Sequence, residues 1–515
     1  MRQDLVYFVH DKYAGVSAFV QEEADKQHRN ASFVAVGALV PLSYGRLGKS
    51  WVHAEALRGL ARETVQDLEN RTPLERLWEK HGTNEAGNGA ASSTSKRSSL
   101  PSGFKRKRAL SDATGSFATE GLMSLDHPAL SMTTLITTFG PLLFPLYREA
   151  LLRKRILLLG STPVQPTCNY GKCCPFNSFA PINCANTCPV YDLSVLSNVP
   201  QSLQESLSSE NGSARLKPLF NVGVFDITRL ESHKEGWLAC TTDDILGEKK
   251  KLYDILVELP TSNPSNGRRA WPKLRTADGE TIKATQRDFR RYVSLRRQLR
   301  KLERGSTVGM QYRGNETEDM DGDQDESAPL VASSSRLPDT DCDVPQSDEA
   351  ELLQPETWSA VAYRSFMWWA SAGEKDTWEA EETLTDQALL EDLPDLSEIT
   401  GRCHGRAPEE EDDDAEPDST LEAQRVATIL VAYFHRVTGA ILQTLTNLVE
   451  RADDDTEEGY EEDAIEVSED DMRRMGIDAW SAGDRRFVED MMRLYFDRDA
   501  VIEDDGVRMC GMRIC

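Results

Sequence analysis

Positive charge is what this chain has too little of. Its 515 residues carry 59 lysines and arginines against 86 aspartates and glutamates, a formal net charge of −27. A nucleic-acid binder needs a positive surface to displace counterions from phosphate, so nucleic acid is excluded as the main partner. Wholesale adsorption on anionic lipid is disfavoured on the same ground, which leaves at most peripheral membrane contact. The acidic excess is local. Much of it lies in Glu316–Glu326, Glu379–Asp395, Glu409–Asp418 and Asp453–Asp463, segments that read as inserts and loops.

Long apolar runs are also missing. No stretch approaches the roughly 20 apolar residues of a membrane span. The nearest, Val426–Leu445, is interrupted by His435 and Arg436. The N-terminal MRQDLVYF has no basic region ahead of an apolar one, so no secretory signal is read there. A cytoplasmic chain is expected, its ten cysteines reduced. The sequons at Asn30, Asn70, Asn211 and Asn315 then carry no meaning. Nucleophilic catalysis lacks its motifs as well: none of the eight histidines falls in a Ser or Cys triad pattern. Cys240 precedes Asp243 and Asp244, and acidic neighbours blunt a thiolate. No covalent catalysis and no cofactor are expected.

What is present is an α/β core. Pro128 suits a first helical turn. Leu130, Leu135, Ile136 and Phe139 recur at helical spacing, Gly140-Pro141 breaks the helix, and a second helix over Leu142–Leu152 ends on Arg153, Lys154 and Arg155. The apolar Ile156–Leu159 follows as a buried strand. Further strands are expected at Leu219–Ile227, Trp237–Thr241 and Tyr253–Leu259, with a short helix over Asp243–Lys251 and a basic amphipathic helix over Arg287–Leu302. Upstream, Asp4–His10, Val16–Phe19 and Phe33–Val40 read as strands, the last apolar enough to be buried on both faces. The stripe Trp51, Ala54, Leu57, Leu60, Ala61, Val65 and Leu68 marks a helix. Downstream, Leu421–Val449 is a long helix with Tyr433, Val437 and Ile441 on its apolar face. Ser468–Met475 and Asp484–Tyr495 close the chain, with Ser468 and Asp471 spaced as a capping box.

Several motifs invite chemistry. Ser43–Ser50, SYGRLGKS, sits between a strand and a helix as a phosphate-binding loop does, but Ser43 stands where that loop needs Gly. Cys168, Cys173, Cys174, Cys184 and Cys188 could supply the four ligands of a zinc tetrahedron, although they lack paired C-x2-C knuckles. The run from Asp453 fails as a calcium loop. Starting at Asp453 or Asp454 puts Ala464 or Ile465 where a bidentate Glu belongs. Starting at Asp455 supplies Glu466 but puts Tyr460 where Gly is needed. Lys105–Arg108 is a basic patch in a Ser- and Gly-rich linker, and Trp368-Trp369 could anchor a partner or pack on the fold.

The wording of the apolar blocks is similar to the LCHN family of DENN-domain proteins. FPLYREALLRKRILLLG (Phe144–Gly160) resembles the start of that family's central module. FNVGVFDI (Phe220–Ile227), GWLACTTDDIL (Gly236–Leu246), KLYDILVELP (Lys251–Pro260) and MRRMGIDAWSAGDRRFVEDMMRLYF (Met472–Phe496) resemble its later blocks. DLVYFVH (Asp4–His10) and VAVGALVPLSYGRLGKSWVHAEALRGLA (Val34–Ala61) resemble its N-terminal lobe. The resemblance implies a fold of class α/β plus α, a tripartite DENN module with disordered inserts. Residues 1–81 would be a longin-like lobe, short of its first strand, and 82–121 a linker. Residues 122–304 would be the central α/β domain, and 305–354 an insert. A short helix over 355–378, a second acidic insert over 379–420 and a helical part over 421–515 would complete the chain. It further implies a Rab-family small GTPase as partner, exchange-factor or effector-type binding, and a role in membrane trafficking, with no residue-level contact motif. A non-catalytic scaffold and a nucleotide-binding enzyme using Ser43–Ser50 are the alternatives.

Overall fold

A computed structural model describes residues 2–23, 31–82, 123–160, 189–204, 207, 216–260, 270–311, 346–355, 361, 377–390, 417–455, 464–502, 508–509 and 512–513. Period-two patterning builds its first part. Strands β1 (Arg2–His10), β2 (Tyr13–Glu23) and β3 (Ala31–Pro41) form an antiparallel meander. Leu5, Tyr7 and Val9, then Ala14, Val16, Ala18 and Val20, then Val34 and Val36 are buried on one side. Helix α1 (Ala54–Gln66) covers that side with Leu57, Leu60, Ala61 and Val65, and α2 (Thr72–His81) follows it.

The expectation that β3 is buried on both faces is corrected. Phe33 is 58% and Leu39 62% exposed. The strand ends the sheet and only its valine row meets a helix. Its outward row includes the small residues Ala35 and Gly37, which made the whole run look like core.

The central part follows as helix, break, helix, strand: α3 (Met132–Phe139), a tight turn at Gly140–Leu142, α4 (Leu143–Leu151) and β4 (Ile156–Leu159). Helix α5 (Pro189–Leu196), buried along its whole length, leads to β5 (Lys217–Asn221). Then come α6 (Ile227–Ser232), β6 (Trp237–Thr241), α7 (Asp244–Glu248) and β7 (Ile255–Glu258). The expected strand Leu219–Ile227 stops at Asn221, because the chain turns at Gly223 and enters α6. Two antiparallel strands unread in the sequence, β8 (Lys273–Thr276) and β9 (Thr281–Ile282), finish the sheet.

All nine strands form one sheet in the order β3-β2-β1-β5-β6-β4-β7-β8-β9. The N-terminal meander and the central strands are therefore joined edge to edge. β4, β5, β6 and β7 pair in parallel, and β1 meets β5 antiparallel. Parallel strands need crossovers, and the crossovers place helices on the sheet.

The C-terminal part is helical: α8 (Gln286–Gln311), α9 (Gln346–Leu352), α10 (Thr377–Leu390) and α11 (Pro417–Asp455). Strand β10 (Ile465–Val467), α12 (Glu469–Met475), α13 (Ala482–Phe496) and β11 (Ala500–Ile502) follow, with β10 and β11 parallel. The capping box is present: the Asp471 N–H donates to Ser468 Oγ at 3.2 Å and the Ser468 N–H to the Asp471 carboxylate at 3.3 Å. Helix α11 buries Val426, Ile429, Leu430, Tyr433, Val437, Ile441, Leu445 and Leu448. Its Phe434 carbonyl accepts a hydrogen bond from the Tyr147 hydroxyl of α4 at 3.1 Å.

By length and apolarity Pro128–Leu151 and Thr420–Asp454 would both pass for membrane spans, where the sequence reading found no stretch long enough. Both are instead mostly buried within this fold.

The insert boundaries also change. Residues 83–122, 312–345 and 391–416 lie outside the described residues, as do Lys105–Arg108, Trp358, Phe366, Trp368 and Trp369. Within the expected insert 305–354, however, α9 docks. Leu352 and Leu353 are buried, and the Ala284 N–H donates to the Leu352 carbonyl at 2.9 Å. Within the expected insert 379–420, α10 buries Glu382 and Asp386 against Arg287, Arg290 and Arg291 of α8. Composition is blind to this, because the acids face a basic partner far away in sequence.

Candidate functional site

Two cores flank the sheet. The larger runs unbroken beneath β1–β3 and the central strands, and includes Tyr7, Leu57, Phe144, Ile156, Leu238 and Tyr433. The smaller, on the opposite face, gathers Leu157, Leu219, Val222, Leu230, Trp237 and Leu246 under α6 and α7. That second cover ends at β5. From β1 outward the same face is uncovered by the described residues, with Phe8 and Phe19 part-exposed and Phe33 and Leu39 exposed. The result is a step: a sheet floor running up to a wall made by the turn before α6.

Local backbone builds the step. Phe8 pairs with Gly15, which in turn pairs with Leu39. A Cβ on Gly15 would lie 2.1 Å from the Phe8 ring, so glycine is what lets that ring lie flat across the floor. Farther along the strands, Phe19 and Phe33 stack with centroids 5.9 Å apart. At the seam, Phe8 pairs with Phe220, where β5 shifts register and Phe220 takes φ 61. A buried aromatic in the left-handed region is strained by about 1–2 kcal/mol, and such outliers cluster at functional sites.

Phe8, Val9, His10, Asn221, Gly223, Asp226 and Arg229 line a cleft of roughly 220 Å³ along the seam. Arg229 ties its walls together, donating to the Val9 carbonyl at 2.7 Å and pairing with Asp226 at 2.9 Å. The Asp226 carboxylate also accepts the Gly223 N–H at 3.0 Å. Phe225, held on this turn, is 99% exposed.

The sequence motifs fall elsewhere. Ser43–Ser50 lies between the meander and helix α5. Leu42, Gly45 and Gly48 donate their N–H groups to the carbonyls of Lys12, Leu42 and Gly45, so these amides are not turned toward a phosphate. Ser50 is buried, Arg46 donates to Ser194 Oγ at 2.5 Å, and Trp51 packs edge-on to His127 at 4.8 Å. Burial, with Lys49 adding to it, lowers the His127 pKa to about 4. The five candidate zinc ligands, Cys168, Cys173, Cys174, Cys184 and Cys188, lie outside the described residues. Among the described residues no three His, Cys, Asp or Glu side chains gather to hold a metal. Asp453, Asp454 and Asp455 belong to α11 and Glu466 to β10, and Asp453 pairs with Arg498 at 2.8 Å. Cys240 is fully buried in β6.

One buried polar cluster went unread. Arg148 of α4 contacts Asp288 of α8 at 2.7 Å and Asp484 of α13 at 3.2 Å. Burial pushes the Asp484 carboxyl up to about 6, even beside Arg148. Asp288 goes the other way, its burial outweighed by the Arg148 charge and hydrogen bonds. No local pattern announces this trio, whose members are distant in sequence.

The model of the DENN domain-containing protein 11 family matches residues 1–268, just over half of the chain. This chain belongs to that family. The match spans both parts of the sheet and the seam between them, and it bears out the resemblance carried by Asp4–His10, Phe144–Gly160 and Phe220–Ile227. A second model, a domain of unknown function, matches residues 353–515. The Arg148 cluster thus joins the two matched regions. Similar proteins include DENN domain-containing protein 11 of Danio rerio, 28% identical over 264 residues, which are 50% of this chain and 44% of that protein. The Rattus norvegicus counterpart is 28% identical over 260 residues, 50% of this chain and 48% of that protein. The uncharacterized protein ANR2 of Saccharomyces cerevisiae is 24% identical over 380 residues, 73% of this chain and 57% of that protein. The chain therefore spans about half the length of the curated relatives it matches. No solved structure matches it significantly.

Proposed function

We propose that this DENN-family chain binds a Rab-family small GTPase across the sheet seam and promotes release of its GDP. The observation that carries the reading is the step at β1–β5. It is an open apolar floor beside a strained, arginine-tied wall, inside the region the family model matches. Exchange needs no covalent chemistry, which fits the absence of nucleophile motifs in the sequence. It needs a face that prefers the empty GTPase to the loaded one. Whatever affinity is gained on the empty form is, by linkage, lost by the nucleotide. A tenfold acceleration asks for about 1.4 kcal/mol, within reach of a few contacts.

Work on the cytoplasmic side of endomembranes, in trafficking, follows from this reading. The second reading is a scaffold of the same fold that binds without exchange. A panel of Rab proteins, each nucleotide-depleted or GDP-loaded, separates the two. Tighter retention of one empty Rab, with faster release of its fluorescent GDP, supports exchange. Equal affinity for both forms across the panel leaves the scaffold.

A further inference from the structure

The turn that walls the seam cleft has a property the exchange reading does not require. Phe225 is the most exposed large hydrophobic side chain among the described residues, yet its turn is among the better braced. Gly223 donates to Asp226, Asp226 pairs with Arg229, and Arg229 reaches across to the Val9 carbonyl. The next turn along the sheet edge lies alongside: a Cβ on Gly223 would sit 3.4 Å from the Asp243 carboxylate. Helix α7, which starts there, carries Ile245, 59% exposed. Both turns follow the C-terminal ends of adjacent parallel strands, β5 and β6. Val224, Phe225 and Ile245 are thus exposed apolar side chains on neighbouring segments at the same end of the sheet, with Phe225 on the braced turn. A preorganised aromatic loses little entropy on binding, and residues of this kind dominate interface energies.

Charge around these side chains narrows the partner. Asp226, Asp243, Asp244 and Glu248 flank them, while Lys249, Lys250 and Lys251 follow at the far end of α7. An acidic flank repels anionic lipid, so they do not suit a membrane surface. They suit a protein surface with an apolar depression ringed by lysine or arginine.

We propose that Phe225 is the anchor of the GTPase contact, seated in an apolar depression ringed by basic side chains on the GTPase. The inference rests on the Rab reading above. Its test uses the full chain and the nucleotide-depleted Rab that the unaltered protein retains best. Phe225→Ala weakens binding by about 30-fold or more, with an unchanged melting temperature because the ring touches solvent. Phe225→Leu keeps affinity within about tenfold. Asp243→Asn with Asp244→Asn lowers the association rate and flattens its dependence on salt.

Binding of Phe225→Ala within about twofold of the unaltered protein overturns the anchor. An unchanged or higher affinity of the double asparagine variant overturns the basic ring. Failure of the unaltered protein to retain any Rab overturns the GTPase reading itself, and is told apart because no variant is needed to see it.

Discussion

The two halves of the nine-stranded sheet differ in what covers them. The central strands β4, β6 and β7 are buried on both faces, between the main core and the small core under α6 and α7. Among the described residues, the meander β1–β3 is covered on one face only. Connectivity is the cause. Parallel strands are joined by crossovers that lay helices on the sheet, whereas hairpins return at the strand end and leave a face free. The closed half supplies stability, and the open half leaves a surface that is accessible without any element moving first, where the proposed GTPase contact lies. Where coverage stops, Phe220 is one of six non-glycine residues with positive φ among the described residues.

The largest effect that would sharpen this comparison is on the closed half. Val437, 3% exposed on α11, replaced by Asp should cost about 4–5 kcal/mol, the penalty of a buried unpaired charge. Urea unfolding reads it. An unchanged midpoint would mean that α11 does not pack as described. Next, Arg148→Met strands Asp288 and Asp484 together in the interior. A loss of about 3 kcal/mol is expected, and a loss below about 1 kcal/mol would reduce the cluster to a bystander.

A smaller effect appears in pH. Asp484 titrates at about 6 in the folded chain against about 3.9 unfolded. Between those values the folded state holds more proton, so this group's contribution to stability falls as pH rises from about 4 to about 6, and is level above. Asp288, with its lowered pKa, acts oppositely and below about pH 4. Asp484→Asn should therefore flatten stability between about pH 4 and 6 relative to the unaltered chain. The same slope in both proteins would rule the group out. The smallest effect belongs to the open half: Leu39→Ser should shift stability by no more than about 0.5 kcal/mol. A shift above about 1.5 kcal/mol would show that the floor is covered after all.

Much of the local structure was legible. Trp237–Thr241 reads as a strand and is one, α12 and its Ser468–Asp471 cap follow the sequence rule, and Gly140-Pro141 breaks a helix where expected. Each depends on residues within a few positions of one another. Helix α10 was lost inside an acidic stretch, although Glu382 and Asp386 stand four apart, one helical turn, and share a face. That spacing was the available signal, and its meaning depended on Arg287 and Arg291 nearly a hundred residues earlier. The candidate site was legible only in its parts. FNVGVFDI and DLVYFVH resemble family blocks, but nothing in either says that Phe8 pairs with Phe220.

Sequence alone therefore determined the family, the period of each strong element and the lack of catalytic motifs, because blocks, periodicity and residue types are properties of the chain itself. Tertiary structure decided which apolar rows are core and which are open. Phe33 and Val34 are neighbours of similar hydrophobicity, and only the position of α1 buries one and exposes the other. It also decided that the two lobes share a sheet, because a strand's edge carries the same N–H and C=O groups whatever its side chains, and pairing is chosen by what the fold brings alongside.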